Sequence, residues 1–273
     1  MSEGANNMET VELGCLRVSR FILGTNPISG FSHQSVEMDE RMKAWFTFER
    51  IKALLREAEA LGINTVLART DMRVMSFIQE YWAEGGTIQW FAQTCPSEAP
   101  QEICIERAIN GGAKACHIHG GYMDHQWAKG ELGHIEGLVR MIRSSGLLAG
   151  VAAHDPRVIE WAEENLDVDY YMCSYYNSMR RDQNPEHVHG AQEWFWPEDR
   201  ERMVKLINGL SKPAIHYKVL AAGRNNPEEA LSFAARAMRP CDMVCVGIYN
   251  EEKPDMLRED VQLLAKFLAQ VRE

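Results

Sequence analysis

Eight short runs of apolar and β-branched residues recur along this chain, and a longer stretch with helical periodicity follows each of them. The runs fall at 20–24, 64–69, 88–94, 115–119, 148–153, 170–175, 214–220 and 243–248. After the first of them, 48–61 (FERIKALLREAEAL) sets apolar residues at helical spacing with charges opposite. The same pattern returns at 73–82, 100–108, 135–144, 156–165, 197–210, 227–238 and 256–271. Such alternation marks β–α units. Several helical stretches open on Pro, or on Ser, Asp or Asn followed by acidic residues, as helix N-termini prefer. Eight units without a polar linker predict one closed parallel barrel, a single (β/α)8 TIM barrel domain over residues 1–273. An open doubly wound sheet competes, but it usually has fewer strands, and no GxGxxG follows the first run.

Composition removes whole classes of partner. The chain has 29 Lys+Arg against 39 Asp+Glu, a net charge of −10, the wrong balance for holding nucleic acid. Its longest apolar stretch, 147–153, is far short of the roughly 20 residues a membrane-spanning helix needs. The opening MSEGANNMETVEL has neither the basic nor the apolar part of a signal peptide. Seven cysteines without a CxxC pair read as reduced thiols, and a cytoplasmic location is expected. A small-molecule substrate is the expected partner. Trp127, Trp161 and the C-terminal helix are candidates for a contact in a homo-oligomer.

In a barrel of this kind the chemistry sits at the C-terminal ends of the strands. Two loops there are long, 25–47 after the first strand and 177–196 after the sixth. Both carry aromatics and histidines, and loops of this length often act as lids or binding walls. Trp45 and Trp194 are the candidates to close over a substrate. The strand ends are more telling. CHIHGG places His117 and His119 on one face by alternation, AAHDP puts His154 at the tip of the fifth strand, and IHYKVL sets His216 and Lys218 on a common face. Asn26, Arg69, Asp71, Gln93 and Tyr175 stand at the ends of other strands, with Asn26, Arg69 and Gln93 as candidate substrate-binding residues.

Several neutral imidazoles converging on one point suit a divalent transition metal, zinc above all. The expected ligands are His119, His154 and His216, with His117 in reserve. His117 lies deeper and reads first as a hydrogen-bonded core residue. Lys218 and Tyr175 are candidates to move protons, and Asp71 and Glu186 are the carboxylates placed to complete a set. Lys218 could also hold an anionic group or form a Schiff base, as in an aldolase. His187 and His189 form a further HxH pair in the second long loop, read as solvated or lid contacts, while Cys116 and Cys173 read as packed thiols.

The order of these motifs resembles the aldo/keto reductases. LGCLRVSRFILGTNPISG is similar to that family's first strand region, and EAEALGINTVLART to its following helix and second strand. HIHGG, GVAAHDPRVIEWA, YYMCSYYN and HYKVLAAGRNNPEEALSFAARAMRPCDMVCVGIYN resemble its fourth, fifth, sixth and last two strands. The resemblance implies a (β/α)8 barrel and an Asp, Tyr, Lys and His tetrad that reduces a carbonyl with hydride from NADPH. Of that tetrad His119 has its match. The Asp position holds Leu67, no Tyr lies between Leu67 and Ser76, and IQWFAQTCP contains no Lys.

Three functions are therefore in play. The first is a metal-dependent isomerase, lyase or hydrolase acting on a small polar carbonyl or sugar-like compound. The second is an NADP-dependent, aldo/keto-reductase-like oxidoreductase with a rearranged tetrad, in which AAGRNN and VGIYN cradle phosphate. The third is a non-catalytic ligand-binding barrel.

Overall fold

A β-hairpin opens the chain, and eight strands then close into a barrel. The computed structural model describes residues 8–182, 184 and 188–272, so Glu186 and His187 lie outside the described residues. Strands β1 (Thr10–Leu13) and β2 (Leu16–Ser19) form the antiparallel hairpin. Its turn uses Gly14 at φ +56°, a left-handed position that suits a residue without Cβ. The barrel strands are β3 (Phe21–Gly24), β4 (Thr65–Arg69), β5 (Gln89–Gln93), β6 (Ala115–Ile118), β7 (Leu148–Ala153), β8 (Tyr170–Ser174), β9 (Ala214–Tyr217) and β10 (Met243–Gly247). They pair in parallel in chain order, and β10 pairs with both β9 and β3 to close the ring. All eight coincide with the predicted runs, mostly one or two residues shorter. The hairpin has no counterpart in the sequence reading.

Helices return the chain between strands: α2 (Phe48–Ala60), α3 (Met72–Ala83), α4 (Gln101–Asn110), α6 (Ile135–Ser144), α7 (Pro156–Asn165), α8 (Pro197–Ile207), α9 (Pro227–Ala237) and α10 (Met256–Gln270). Two further helices occupy connections between an expected strand and the expected helix after it. One is α1 (Val36–Trp45), inside the first long loop, and the other is α5 (Gly120–Lys129), which follows β6 directly. Thr47, Asp71 and Asn226 cap α2, α3 and α9 by accepting a backbone N–H.

Side chains alternate between two cores. Ile22, Phe91, Tyr170, Met172, Ile215 and Met243 fill the barrel, and Leu13 and Val18 of the hairpin join them to close its floor. The other set of strand residues packs under the helices. Tyr170 takes its space from Gly150, its register partner on β7. A Cβ at 150 would lie 2.5 Å from the Tyr170 ring, in a core where neither backbone has room to move. Gly150→Ala is accordingly expected to destabilise the fold by about 1–3 kcal/mol through overpacking. The urea midpoint would fall with the slope unchanged.

The barrel seam is locked by Asp242, which is fully buried. Its carboxylate accepts from the Arg239 guanidinium (2.9 and 2.8 Å) and from the N–H groups of Ala214 and Arg239 (both 2.8 Å). Arg20 donates to the carbonyls of Asp242 and Arg239, tying β3 to the same corner. Burial works against the charge, but the bonds to His216 and Arg239 outweigh it and hold the Asp242 carboxyl well below the usual range.

Among the described residues no helix is long and apolar enough to cross a membrane. The seven cysteines are free thiols, and burial pushes those of Cys116 and Cys173 far up.

Candidate active site

The C-terminal mouth of the barrel opens into a cavity of about 430 Å³, within the range of small-molecule and cofactor sites. His119, His154, Tyr217 and Lys218 stand on one side of it, and Asn26, Phe31 and Arg69 on another. An arm runs over the turns that follow β9 and β10, past Gly223, Asn225, Lys253 and Asp260.

The hydrogen bonds of the two mouth histidines fix their tautomers. His154 Nδ1 lies 2.7 Å from Asp124 Oδ2, so the neutral ring donates its Nδ1–H to the carboxylate as a hydrogen bond and keeps a lone pair on Nε2. Asp124, on α5, is itself held by the backbone N–H groups of His154 (3.1 Å to either oxygen) and Asp155 (3.2 Å). His119 is the opposite case. Its Nδ1 accepts the Tyr122 N–H at 3.3 Å, which leaves the ring proton on Nε2. One imidazole thus offers a lone pair to the cavity and the other an N–H donor.

Both rings are neutral at ordinary pH. Burial, followed by Arg181 and Arg69, holds His119 well below 6.5. Burial, followed by Lys218 and Arg181, does the same for His154. His119 also caps the N-terminus of α5, whose dipole disfavours an imidazolium. Burial pushes the Asp124 carboxyl up to about 7, against the pull of the Asp155 N–H and of Arg181. Burial pushes the Tyr217 hydroxyl far up, so it stays protonated. Gly120 leaves the close approach of these groups possible, since a Cβ there would lie 3.0 Å from Tyr217 Oη and 3.3 Å from His154 Cε1.

Lys218 reaches the mouth by a backbone irregularity. On β9 the inward residues are Ile215 and Tyr217, so simple alternation would turn 218 outward. Its φ of +58° breaks the alternation, and Nζ comes to lie 3.3 Å from Ser178 Oγ and 3.8 Å from Glu193 Oε2. Burial lowers the Lys218 ammonium to about 8 despite the Glu193 charge.

The two long loops cross over one edge of the cavity and are tied together. His33 Nδ1 lies 2.6 Å from Glu193 Oε1, and His189 Nδ1 lies 2.6 Å from Asp39 Oδ2. Phe31 stacks on the His189 ring. Ser178 donates to Glu193 Oε2 at 2.5 Å within the second loop. The lid aromatic that lines the cavity is therefore Phe31. Trp45 turns aside to Asn250 (3.3 Å), under the Arg50 guanidinium, and Trp194 is 40% exposed and away from the cavity.

The predicted metal set is not assembled. His119 and His154 reach the mouth, but His216 faces outward beneath α9, fully buried, between Tyr175 Oη (3.0 Å) and Asp242 (3.4 Å). The strand phase expected for β9 was one residue out. His117 points inward one layer below the mouth, bonded to Tyr170 Oη (3.3 Å) and to Gln93 (3.4 Å), and burial takes it down to about 3. With Nδ1 accepting from Tyr122, His119 cannot present a lone pair at Nε2 without facing two N–H groups against each other. Among the described residues no three His, Cys, Asp or Glu side chains are grouped to hold a metal ion.

Other candidates are also redistributed. Asn26, Arg69, Gln93 and Lys218 line the cavity. Tyr175 packs outward on Phe233 and His216. Asp71 caps α3 and pairs with Arg69 at 3.3 Å. Sequence reasoning missed Asp124, Arg181 and Tyr217. Asp124 lies five residues beyond His119, between the expected strand and helix in a stretch given no element, and recognising α5 in GGYMDHQW would have pointed to it.

No family model matches the sequence, and no curated protein does. Solved structures do resemble the fold. A Pseudomonas aeruginosa protein assigned to the aldo-keto reductases superposes with a TM-score of 0.64 at 15% identity, over 98% of this chain and 100% of its own. An aldo-keto reductase of Bacillus halodurans in its holo form gives 0.61 at 12%, over 97% and 96%. A truncated 3-deoxy-D-arabino-heptulosonate 7-phosphate synthase of Thermotoga maritima gives 0.59 at 12%, over 98% and 95%. At these identities the likeness is one of fold: the chain is a (β/α)8 barrel built like an aldo-keto reductase.

Proposed function

We propose that the protein is a nicotinamide-dependent oxidoreductase that interconverts a carbonyl and an alcohol on a small molecule. The observation that carries this reading is the His154–Asp124 pair, a buried proton carrier with its Nε2 lone pair turned to the mouth, opposite the N–H donor of His119. The aldo-keto reductase architecture supports it as analogy.

The arm of the cavity fits such a cofactor. Lys253 offers a cation and Asn225 a polar group, and the chain passes through left-handed backbone at Ala221, Ala222 and Gly223. Asp260, pushed up to about 6 chiefly by burial, offers a carboxyl to a ribose hydroxyl. In barrels the loops after the last two strands are a common phosphate site. The chemistry supplied by a nicotinamide bound there is hydride transfer. His119 polarises the substrate oxygen through Nε2–H, and its neutral state keeps that proton in place. His154 takes the hydroxyl proton in the oxidative direction and returns it in the reductive one, with Asp124 holding the ring. Tyr217 stays protonated, its hydroxyl donating to the Ala153 carbonyl at 3.4 Å at the rim of the mouth.

Titration of the purified protein with NADPH tests the reading: saturable quenching of cofactor fluorescence is expected. No quenching by millimolar NADPH or NADH would overturn it. A second reading, proton transfer without a cofactor as in an isomerase or lyase, is favoured by the same pairing of a base with a donor. It predicts exchange of substrate C–H protons with solvent deuterium in the absence of nucleotide.

A further inference from the structure

Below the mouth, three polar side chains from three strands form a string that the proposed chemistry leaves unused. Tyr170 of β8 and His117 of β6 are fully buried, and Gln93, at the end of β5, is partly buried on the wall of the cavity. Tyr170 Oη lies 3.3 Å from His117 Nδ1, and His117 Nε2 lies 3.4 Å from Gln93 Oε1. The barrel core that they cross is otherwise built of side chains such as Phe91, Met172 and Ile215. In such surroundings a polar group without a partner is costly.

The string has a direction. Burial keeps the Tyr170 hydroxyl protonated, and among the described residues His117 Nδ1 is the acceptor within its reach. Tyr170 therefore donates and Nδ1 accepts. Burial also keeps the His117 ring neutral, so its one proton sits on Nε2 and is donated to Gln93 Oε1. The opposite amide orientation would set the Gln93 NH2 against that N–H. Gln93 thus turns its oxygen to His117 and its NH2 away from it, and the NH2 has no hydrogen-bond partner among the described residues. Gln93 is the register partner of His117, and its neighbour Thr94 accepts the His119 N–H at 2.9 Å. The donor amide and the donor imidazole of His119 therefore stand on adjacent strand ends, with strands roughly 4.8 Å apart.

We propose that Gln93 is a specificity-determining residue, fixed as a hydrogen-bond donor by Tyr170 and His117, that selects substrates with an acceptor oxygen on the carbon next to the carbonyl held by His119. The substrate class is then the hydroxy-ketones, hydroxy-aldehydes and their ethers. A simple ketone or aldehyde leaves the amide without its acceptor and gains less on binding. Tyr170 and His117 are positioning residues: they touch no substrate and act through the orientation of the amide. The proposal rests on the reading of this cavity as a substrate site, and not on the hydride chemistry.

Methoxyacetone and 2-pentanone differ by an ether oxygen in place of a methylene, and that oxygen can only accept. Each is titrated into the nitrogen-15-labelled full chain, with and without NADP+, and followed by the Gln93 side-chain NH2 and the Gly120 backbone N–H signals. Methoxyacetone should shift the Gln93 amide saturably and bind about fivefold more tightly than 2-pentanone, the size of one neutral hydrogen bond. Gln93→Met should bring the two ketones to equal affinity by weakening methoxyacetone alone. The ring nitrogens of His117 in the parent, read without any ligand, should report the Nε2–H tautomer. Tyr170→Phe should give a mixture of tautomers and a smaller preference, with Gln93 itself unchanged. Equal affinities in the parent, a preference that survives Gln93→Met, an Nδ1–H tautomer at His117, or no binding of either ketone at tens of millimolar would each overturn the proposal. Two of these outcomes are read on the parent protein, so a variant that fails to fold does not shield it. A protein that discriminates the ketones but takes no NADPH or NADH sinks the oxidoreductase reading and leaves Gln93 in its role. One that binds nucleotide and treats the ketones alike sinks only the assignment of Gln93.

Discussion

Asp124→Asn is expected to lower turnover by about 10²–10⁴-fold, the size of a lost general acid–base contribution. The reason lies in which oxygen each donor uses. Oδ1 accepts the Asp155 backbone N–H (3.2 Å) and shares that of His154 with Oδ2 (3.1 Å to either), while Oδ2 also faces His154 Nδ1 (2.7 Å). An asparagine keeps its carbonyl oxygen toward the two backbone donors, since the reverse orientation would set its NH2 against both. The amide NH2 then meets Nδ1, which must become an acceptor, and the ring proton moves to Nε2. The lone pair at the mouth is lost. Donation from Nε2–H is blocked as well, because Nδ1 can no longer recover a proton from a carboxyl group. Both directions of the reaction should fail together. Nitrogen-15 shifts of labelled histidine provide a check that needs no substrate: His154 should show the Nδ1–H tautomer in the parent and the Nε2–H tautomer in the variant. Unchanged tautomers, or unchanged turnover of any carbonyl compound found to be a substrate, would remove the pair from the chemistry. Nucleotide binding should be little altered, since Asp124 lies on α5 and the proposed cofactor arm runs over the turns after β9 and β10.

The barrel was legible because its signal repeats. Eight β–α units leave few ways to bury eight apolar runs, and a boundary error of one or two residues does not change that. The hairpin 10–19 was invisible for the opposite reason. Its strands are four residues each, and its meaning depends on Leu13 and Val18 closing the barrel floor, a tertiary event without local signature. At the site, strand phase was the decisive unknown. β6 alternates between two distinguishable faces, with Cys116 and Ile118 beneath the helices and His117 and His119 inside. β9 alternates as cleanly, His216 and Lys218 against Ile215 and Tyr217, but in both strands both faces are largely buried, so the pattern does not say which set turns inward, and parallel strands carry this ambiguity generally. Lys218 was placed at the mouth by an argument that fails for its neighbour. It arrives there through a left-handed φ that no periodicity encodes. Asp124 and Arg181 come from segments outside the strands, where proximity to the histidines is set by three-dimensional closure alone.

A pH profile brings these assignments to a quantitative test. The His154–Asp124 pair gains one proton near 7, and wherever that proton resides Nε2 is then occupied. In the proposed reaction the unprotonated pair is the base for alcohol oxidation, so kcat/KM in that direction should fall about tenfold per unit below pH 7, or about a hundredfold by pH 5. Carbonyl reduction needs the protonated pair and should show the opposite limb, declining as pH rises above 7. Lys218 adds a second limb of one sign for both directions. Its ammonium is lowered to about 8 by burial and by Arg181 and Arg224, against Glu193 and Asp124, and above that value it loses the positive charge it holds at the mouth. Oxidation should therefore peak between about 7 and 8, while reduction falls more steeply once both groups have released their protons. Lys218→Met removes the upper limb and keeps the lower one, moved to higher pH by loss of the Lys218 charge that holds His154 down. A profile that is flat between pH 6 and 8, or a lower limb that disappears with Lys218 and survives Asp124→Asn, would transfer the proton to another group.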